Sequence, residues 1–103
     1  MATVRFGSFE WDSDKNEANF AKHGIRFEEA VRVFDDITLT RIDARFPYGE
    51  TREISIGSLA GDLILTVVHT DRQGNTRLIS ARRANKQERG DYRAYIETAF
   101  GRT

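Results

Sequence analysis

Apolar residues recur every three to four positions in two parts of the chain, which is the spacing that places them on one face of a helix. The earlier stripe predicts a helix over about 27–34. The later one predicts a helix after Asn85, where Asn85 and Glu88 have the spacing of a capping box in its Asx form. The stripes consist of Phe27, Ala30, Val31 and Phe34, and of Tyr92, Tyr95, Ile96, Ala99 and Phe100.

A further helix is predicted over roughly 13–23 from its end signals. Asp12 or Ser13 can cap its beginning, and Gly24 supplies the left-handed residue that commonly ends a helix, with Ile25 placed to cover the end. Together with the two striped segments, this gives helices at both ends of the chain.

The middle of the chain has the pattern of a sheet. Residues 52–59 alternate, 63–70 are apolar on both faces, and 76–84 form another β-rich run, so we expect a half-buried, a central and a further strand. The short connections at 60–62 and 71–75 predict a three-strand antiparallel meander. Residues 37–42 and part of 4–11 are also β-like, and 43–50, with the single proline, is the one long loop.

This order of elements predicts one α+β domain over residues 1–103. We expect the N-terminal helices and the C-terminal helix to pack on one face of a curved, mainly antiparallel β-sheet. The other face would then be solvated or bind a ligand.

Pairing of the predicted strands suggests a row of cations. A symmetric 71–75 loop places His69 opposite Arg77, and a two-residue loop at Ala60-Gly61 places Arg52 opposite His69. Arginine binds phosphate bidentately, and neighbouring cations favour a neutral histidine at pH 7. The row Arg52–His69–Arg77 could therefore bind a phosphate. Equally, these residues could form the solvent-exposed edge of a sheet.

Two other basic segments are candidates. Lys22 and His23 lie in the last turn of the first predicted helix, where they can serve a phosphate or a proton transfer or simply favour the helix dipole. Residues 76–93 carry a net charge of +4 and include Arg82 and Arg83 at a strand end. This positively charged segment could bind RNA backbone or an acidic protein partner. For Lys86, Arg89 and Arg93 we favour a third interpretation, in which the side chains are simply solvated.

Composition narrows the possible functions. The absence of cysteine excludes thiolate metal sites and cysteine nucleophiles. The two histidines lie 46 residues apart, so we expect no metal site, and no motif indicates a cofactor. Without an apolar run of membrane length or a signal peptide, we expect a cytoplasmic protein. The net charge is zero, but it divides into −3 over residues 1–50 and +3 over 51–103, and 13 of the 16 basic residues are arginine.

The ordered motifs resemble the BrnT toxins over residues 9 to about 95. The match begins with the segment 9–12 and continues through Lys15, Asn19 and Lys22-His23-Gly24 to 27–36. It continues with Ile54-Ser55-Ile56-Gly57, Val67-Val68-His69-Thr70 and Ile79-Ser80-Ala81-Arg82-Arg83-Ala84.

This resemblance implies a RelE-like fold and a ribonuclease toxin of a type II toxin–antitoxin pair. It further implies metal-independent RNA cleavage, in which the 2′-OH attacks the adjacent phosphate to give a cyclic phosphate and a 5′-OH. The partner would be a BrnA-like ribbon-helix-helix antitoxin, and operator DNA would be bound only through it.

On this interpretation, His69 is the general base or acid, and Arg52 and Arg77 stabilise the transition state. Arg82 and Arg83 contact the RNA, and Lys22 and His23 complete the site if the first helix packs beside the sheet edge. Two alternatives remain open. One is a toxin-like binding module that docks the antitoxin and co-represses the operon without significant RNase activity. The other is DNA gyrase poisoning, as in another RelE-like branch.

Overall fold

The computed structural model describes residues 2–45, 47 and 49–101, and confirms the predicted α+β class. Its centre is a six-stranded sheet with the order β1-β2-β6-β5-β4-β3, in which only the pairing of β2 with β6 is parallel. The strands are β1 (Thr3–Phe6), β2 (Phe9–Asp12), β3 (Thr38–Asp43), β4 (Arg52–Ala60), β5 (Leu63–Arg72) and β6 (Asn75–Arg83).

The predicted helices are present, with one change of type. Helix α1 (Ser13–His23) begins after Asp12, whose side chain accepts from the Asp14 N–H, and ends at Gly24 in the left-handed region, φ 71°. Instead of one helix over 27–34, a short α2 (Phe27–Ala30) continues as a 3₁₀ helix (Val31–Asp35). The capping box of α3 (Lys86–Phe100) is formed by Asn85 and Glu88 as predicted.

The N-terminal segment differs from the prediction of one short strand within 4–11. It forms the β1–β2 hairpin, with Gly7 at φ 61° in the turn. β2 then pairs with β6 from the far end of the chain, a contact that no local pattern can indicate. In the predicted long loop, Phe46 and Tyr48 lie outside the described residues.

Helices pack on both faces of the sheet, so the prediction that they share one face is wrong. Leu65 belongs to a core cluster with residues of α2 and the 3₁₀ helix, whereas its neighbour Ile64 belongs to a second cluster with Tyr92 of α3. Because adjacent strand residues point to opposite faces, α3 lies across the sheet from the N-terminal helices. A stripe of apolar residues shows that a helix packs against the sheet, but it does not show which face of the sheet the helix packs on.

We call the side under α2 and the 3₁₀ helix the closed face, and the side that carries Ile64, Thr66 and Val68 the open face. On the open face, α3 covers one end, where Ile56 and Ile64 are buried. The rest stays partly accessible, and Ile54, Val68 and Ser80 are only half-buried there. No helix in the described part of the chain is long and apolar enough to cross a membrane.

Helix α1 lies along the outer edge of β6 and is fixed there by a buried amide. The Asn19 side chain accepts from the Ala81 N–H at 3.0 Å and donates to the Ala81 carbonyl at 2.8 Å and the Ile25 carbonyl at 2.9 Å. The two bonds to Ala81 pair backbone groups at the edge of β6. They also set the position of the last turn of α1 beside the sheet.

Candidate active site on the open face of the sheet

The observed strand register replaces His69 with Thr70 in the predicted row of cations. Arg52 lies opposite Thr70, and Thr70 lies opposite Arg77, so the predicted pairings of both arginines with His69 are wrong. In the β5–β6 hairpin, the connection is a two-residue turn at Gln73-Gly74 instead of a five-residue loop, and a bulge follows between Val68 and His69. A one-residue slip moves a side chain to the opposite face.

His69 consequently lies on the closed face, where it is 5% exposed. Its Nε2 is 2.7 Å from Ser55 Oγ, and the edge of Phe34 meets its ring with centroids 5.2 Å apart. Burial lowers the pKa of His69, while the charges of Glu53 and Asp71 act in the opposite direction. His69 therefore does not lie in one row with Arg52 and Arg77, and it faces away from them.

Arg77 is held on the open face by a buried carboxylate. Its Nη1 donates to Glu10 Oε2 at 2.6 Å, and Glu10 also accepts from Asn75 Nδ2 at 3.1 Å. The bond from Arg77 lowers the pKa of Glu10, which stays ionised although only 3% of the residue is exposed. The pair fixes the guanidinium and offsets its charge.

Arg52 stands at the other end of the same row, across Thr70 from Arg77. Its Nε is 3.6 Å from Glu50 Oε2, and about a quarter of its side chain is exposed. Both arginines of the predicted row thus share the open face and each has an acidic neighbour.

A second group of cations assembles where the end of α1 meets β6. The pKa of His23 is lowered by burial, then by the positive charges of Lys22 and Arg82. The structure therefore brings three of the predicted RNA-contacting residues together, and burial with two cations favours a neutral imidazole. A neutral imidazole can accept a proton at pH 7.

Arg82 is oriented by the same residue that caps α3. Its Nη1 and Nη2 donate to the two Glu88 carboxylate oxygens at 2.8 Å each. That carboxylate also accepts from the Thr66 hydroxyl and the Asn85 N–H, and the Arg82 bond leads the causes that lower the pKa of Glu88 to about 2. None of the described residues accepts a hydrogen bond from Arg82 Nε. The edge of the guanidinium formed by Nε and Nη2 is therefore able to bind a phosphate.

Arg83 is separated from this group. Consecutive strand residues point to opposite faces, so Arg83 projects away from Arg82, and it is exposed. The register places it opposite Leu65 of the closed-face core. The structure does not bring Arg83 to the other predicted RNA contacts.

The two cationic groups lie near opposite ends of β6. Arg77 and Arg82 are five residues apart on one strand, and at about 3.3 Å per residue their backbones lie roughly 15 Å from each other. The arginine row at Thr70 and the group at His23 therefore form two separate contacts along one face.

Sequence reasoning missed three residues that shape this face. Glu10 lies in a β-rich segment, and its partner Arg77 is 67 residues later in the chain. Glu88 was identified only as a helix cap. Arg45, from the connection between β3 and β4, lies close enough for its charge to act on Arg82 while it also binds Asp43. No spacing in the sequence links a residue in that connection to the end of β6.

An open groove of about 260 Å³ runs between α1 and β6 beside this group. Its walls are mainly apolar, and Lys22 and His23 stand at one end of it. The lining residues are Lys15, Ala18, Asn19, Lys22, His23, Ile79 and Ser80.

Comparison with known proteins places this site in a family context. A family model described as the ribonuclease toxin BrnT of type II toxin–antitoxin systems matches residues 11–88. Among solved structures, the chain is similar to the 1.1 Å crystal structure of the Brucella abortus ribonuclease toxin BrnT, with a TM-score of 0.55 and 24% identity over 74% of this chain and 94% of that chain. At that identity the likeness concerns the fold. No curated protein matches the chain significantly.

Proposed function

Since this chain belongs to the BrnT family of ribonuclease toxins of type II toxin–antitoxin systems, we propose that it is an endoribonuclease that cuts RNA without a metal ion. The proposed site is the junction of α1 and β6 on the open face. The observation that carries the proposal is the half-buried His23, whose pKa is lowered by burial and by two flanking cations. In the cell, such cleavage in the cytoplasm would arrest growth.

The proposed reaction is transesterification within the RNA. The ribose 2′-oxygen loses its proton to a base and bonds to the adjacent phosphorus, while the bond from phosphorus to the 5′-oxygen breaks. The products are a 2′,3′-cyclic phosphate and a 5′-OH that has gained a proton. The step needs a base, an acid and positive charge at the pentacoordinate phosphorus.

We assign the base to His23 in place of His69. His23 is partly accessible and has Lys22 and Arg82 as electrostatic neighbours, whereas His69 is 5% exposed on the closed face. A base must come within hydrogen-bond reach of the proton it removes. Of the two histidines, His23 is the one that a substrate can reach, and it lies on a surface that also carries cations.

Arg82 and Lys22 would stabilise the charge that develops on the phosphate. The Glu88 carboxylate fixes the Arg82 guanidinium in advance, so that little ordering remains to be done when the substrate arrives. Lys22 lies next to the base and can donate to a phosphate oxygen or to the leaving 5′-oxygen. Arg83 points elsewhere, and we leave it out of the site.

Arg52 and Arg77 would bind the RNA at a distance from the cut. Their row lies roughly 15 Å from Arg82, which corresponds to a phosphate further along the strand. At that distance from His23, we expect them to orient the backbone and not to stabilise the transition state.

The test is incubation of the purified protein with a defined naked RNA in EDTA. We expect wild type to yield fragments with 5′-OH and 2′,3′-cyclic phosphate ends, and His23→Gln to be at least ~100-fold slower. Arg32→Ala, which removes an exposed cation of the 3₁₀ helix, is the matched control and should cleave like wild type. Intact RNA with wild type, or cleavage that stops in EDTA, would contradict the proposal.

The antitoxin that the family implies would be BrnA-like, with a ribbon-helix-helix part, and operator DNA would be bound only through it. A binding module that docks this antitoxin and co-represses the operon, without significant RNase activity, is the second candidate function. It is favoured by the carboxylates that already neutralise Arg77 and Arg82. Tight antitoxin binding by a protein that leaves RNA intact would support it.

A further inference from the structure

We propose that the groove between α1 and β6 is a subsite for one nucleotide of single-stranded RNA beside the scissile phosphate. This inference rests on the proposed function, because it places the subsite next to His23. It adds Lys15 and Ala18 to the surface that contacts the substrate, and neither takes part in the chemistry proposed above.

The shape and lining of the groove fit an unpaired nucleotide. Its volume of about 260 Å³ can hold a nucleobase with its ribose, and it opens to solvent along its length. Ala18 and Ile79 offer apolar walls to a base, and the Ser80 hydroxyl can donate to or accept from a ribose or base edge. Proteins read single-stranded RNA through such contacts with splayed bases.

The charges at the groove fit a phosphodiester strand. Lys15 and Lys22 lie seven residues apart on one helix face, about 10 Å along the axis. Both are exposed, and neither forms an ion pair with any residue that the structure describes. With no acidic partner there, the two lysines can bind two different phosphates.

The walls of the groove are fixed before any ligand arrives. The polar atoms of Asn19 are occupied by the Ala81 and Ile25 backbone, so this residue holds α1 at a set distance from β6 and does not contact the RNA. A preformed cleft loses less entropy when a flexible strand binds. The position of the groove next to His23 would direct the bound strand toward the base.

The experiment measures binding without cleavage. The ligand is a fluorescein-labelled eight-nucleotide RNA that is fully 2′-O-methylated, so it lacks the attacking hydroxyl. We expect Ala18→Glu to bind it about tenfold more weakly, because a carboxylate would stand between the two lysines. Ala21→Glu makes the same change on the same helix at an exposed position outside the groove, and it should bind more tightly than Ala18→Glu.

A salt titration adds a second readout. Loss of one phosphate contact in Lys15→Ala should reduce the slope of log Kd against log salt by about 0.7, whereas Arg32→Ala should leave the slope unchanged. All four positions are exposed, so circular dichroism should show native folding for each variant.

The outcomes separate this inference from the proposed function. If wild type leaves natural RNA intact but Ala18→Glu still weakens binding of the methylated RNA, the subsite stands and the ribonuclease proposal fails. If Ala18→Glu and Lys15→Ala bind like wild type, or if wild type does not bind this RNA, the subsite is overturned even where RNA is cleaved.

Discussion

At the scale of single residues, the positions of the arginines in the candidate site are set by the carboxylates that bind them. Arginines are plentiful in the sequence, and on the open face two of them are held in position by a carboxylate. Glu10 holds Arg77 and Glu88 holds Arg82. A fixed guanidinium loses less side-chain entropy on binding a phosphate than a free one does.

Glu88 links stability to pH. Its pKa in the folded protein is about 2, below the ordinary value of 4.5. Since the folded-state pKa is depressed, its stabilising contribution is full above about pH 5 and is lost as the pH falls toward 2. We expect the free energy of unfolding of wild type to decrease across this window more than that of Glu88→Gln, as measured by urea denaturation at each pH.

Glu88→Ala provides the matching comparison at neutral pH. It removes the capping box, the Thr66 bond and the Arg82 pair, and we expect a loss of about 2 kcal/mol. Glu88→Gln can keep the cap and should lose less. Equal losses for the two variants, or parallel pH profiles for Glu88→Gln and wild type, would contradict the role assigned to the charge.

At the scale of elements, the sequence predicted α1, the four strands from β3 to β6, and the capping of α3, because each has a strong local pattern. The register of the hairpins could not be read in the same way. Register depends on the length of each turn and on bulges, and Asp71–Asn75 reads equally as a five-residue loop or as strand ends around a two-residue turn. This ambiguity separated His69 from Arg77. A second error, at the β4–β5 turn, separated it from Arg52, because the turn lies at Gly61-Asp62 instead of the predicted Ala60-Gly61.

The β5–β6 turn itself makes a testable prediction. Gln73 and Gly74 both have positive φ, 53° and 85°, which is the geometry of a type I′ turn, where Asn-Gly is favoured. Gln73→Asn should therefore raise the free energy of unfolding by about 0.5 kcal/mol, because asparagine tolerates the left-handed region better than glutamine does. Urea denaturation measures the difference.

The neighbouring position should respond with the opposite sign. Gly74→Ala puts a Cβ at φ 85° and should destabilise the protein by about 1 kcal/mol. Neutral effects at both positions would mean that the turn, and with it the register that separates His69 from the arginines, is different from the one described.

At the scale of the whole molecule, the sheet has two unlike faces. The closed face buries Trp11, Phe27 and Leu65 and encloses the His69 side chain. The open face carries the arginine row, the group at His23 and the groove. The net charge of zero gives no sign of this difference between the faces, because many of the acidic residues cap helices or bind arginines.

We propose that RNA is cleaved on the open face, with His23 as the base. Imidazole rescue tests it most directly, because His23 is accessible to a small molecule and His69 is not. The measurement is the single-turnover rate of RNA cleavage by His23→Ala in EDTA, with and without added imidazole.

We predict a rate at least ~100-fold below wild type that rises with imidazole concentration at a pH where imidazole is neutral. Addition of imidazole to wild type serves as the control for nonspecific catalysis and should leave its rate unchanged. A wild-type rate for His23→Ala, or a loss that imidazole does not restore, would contradict the account.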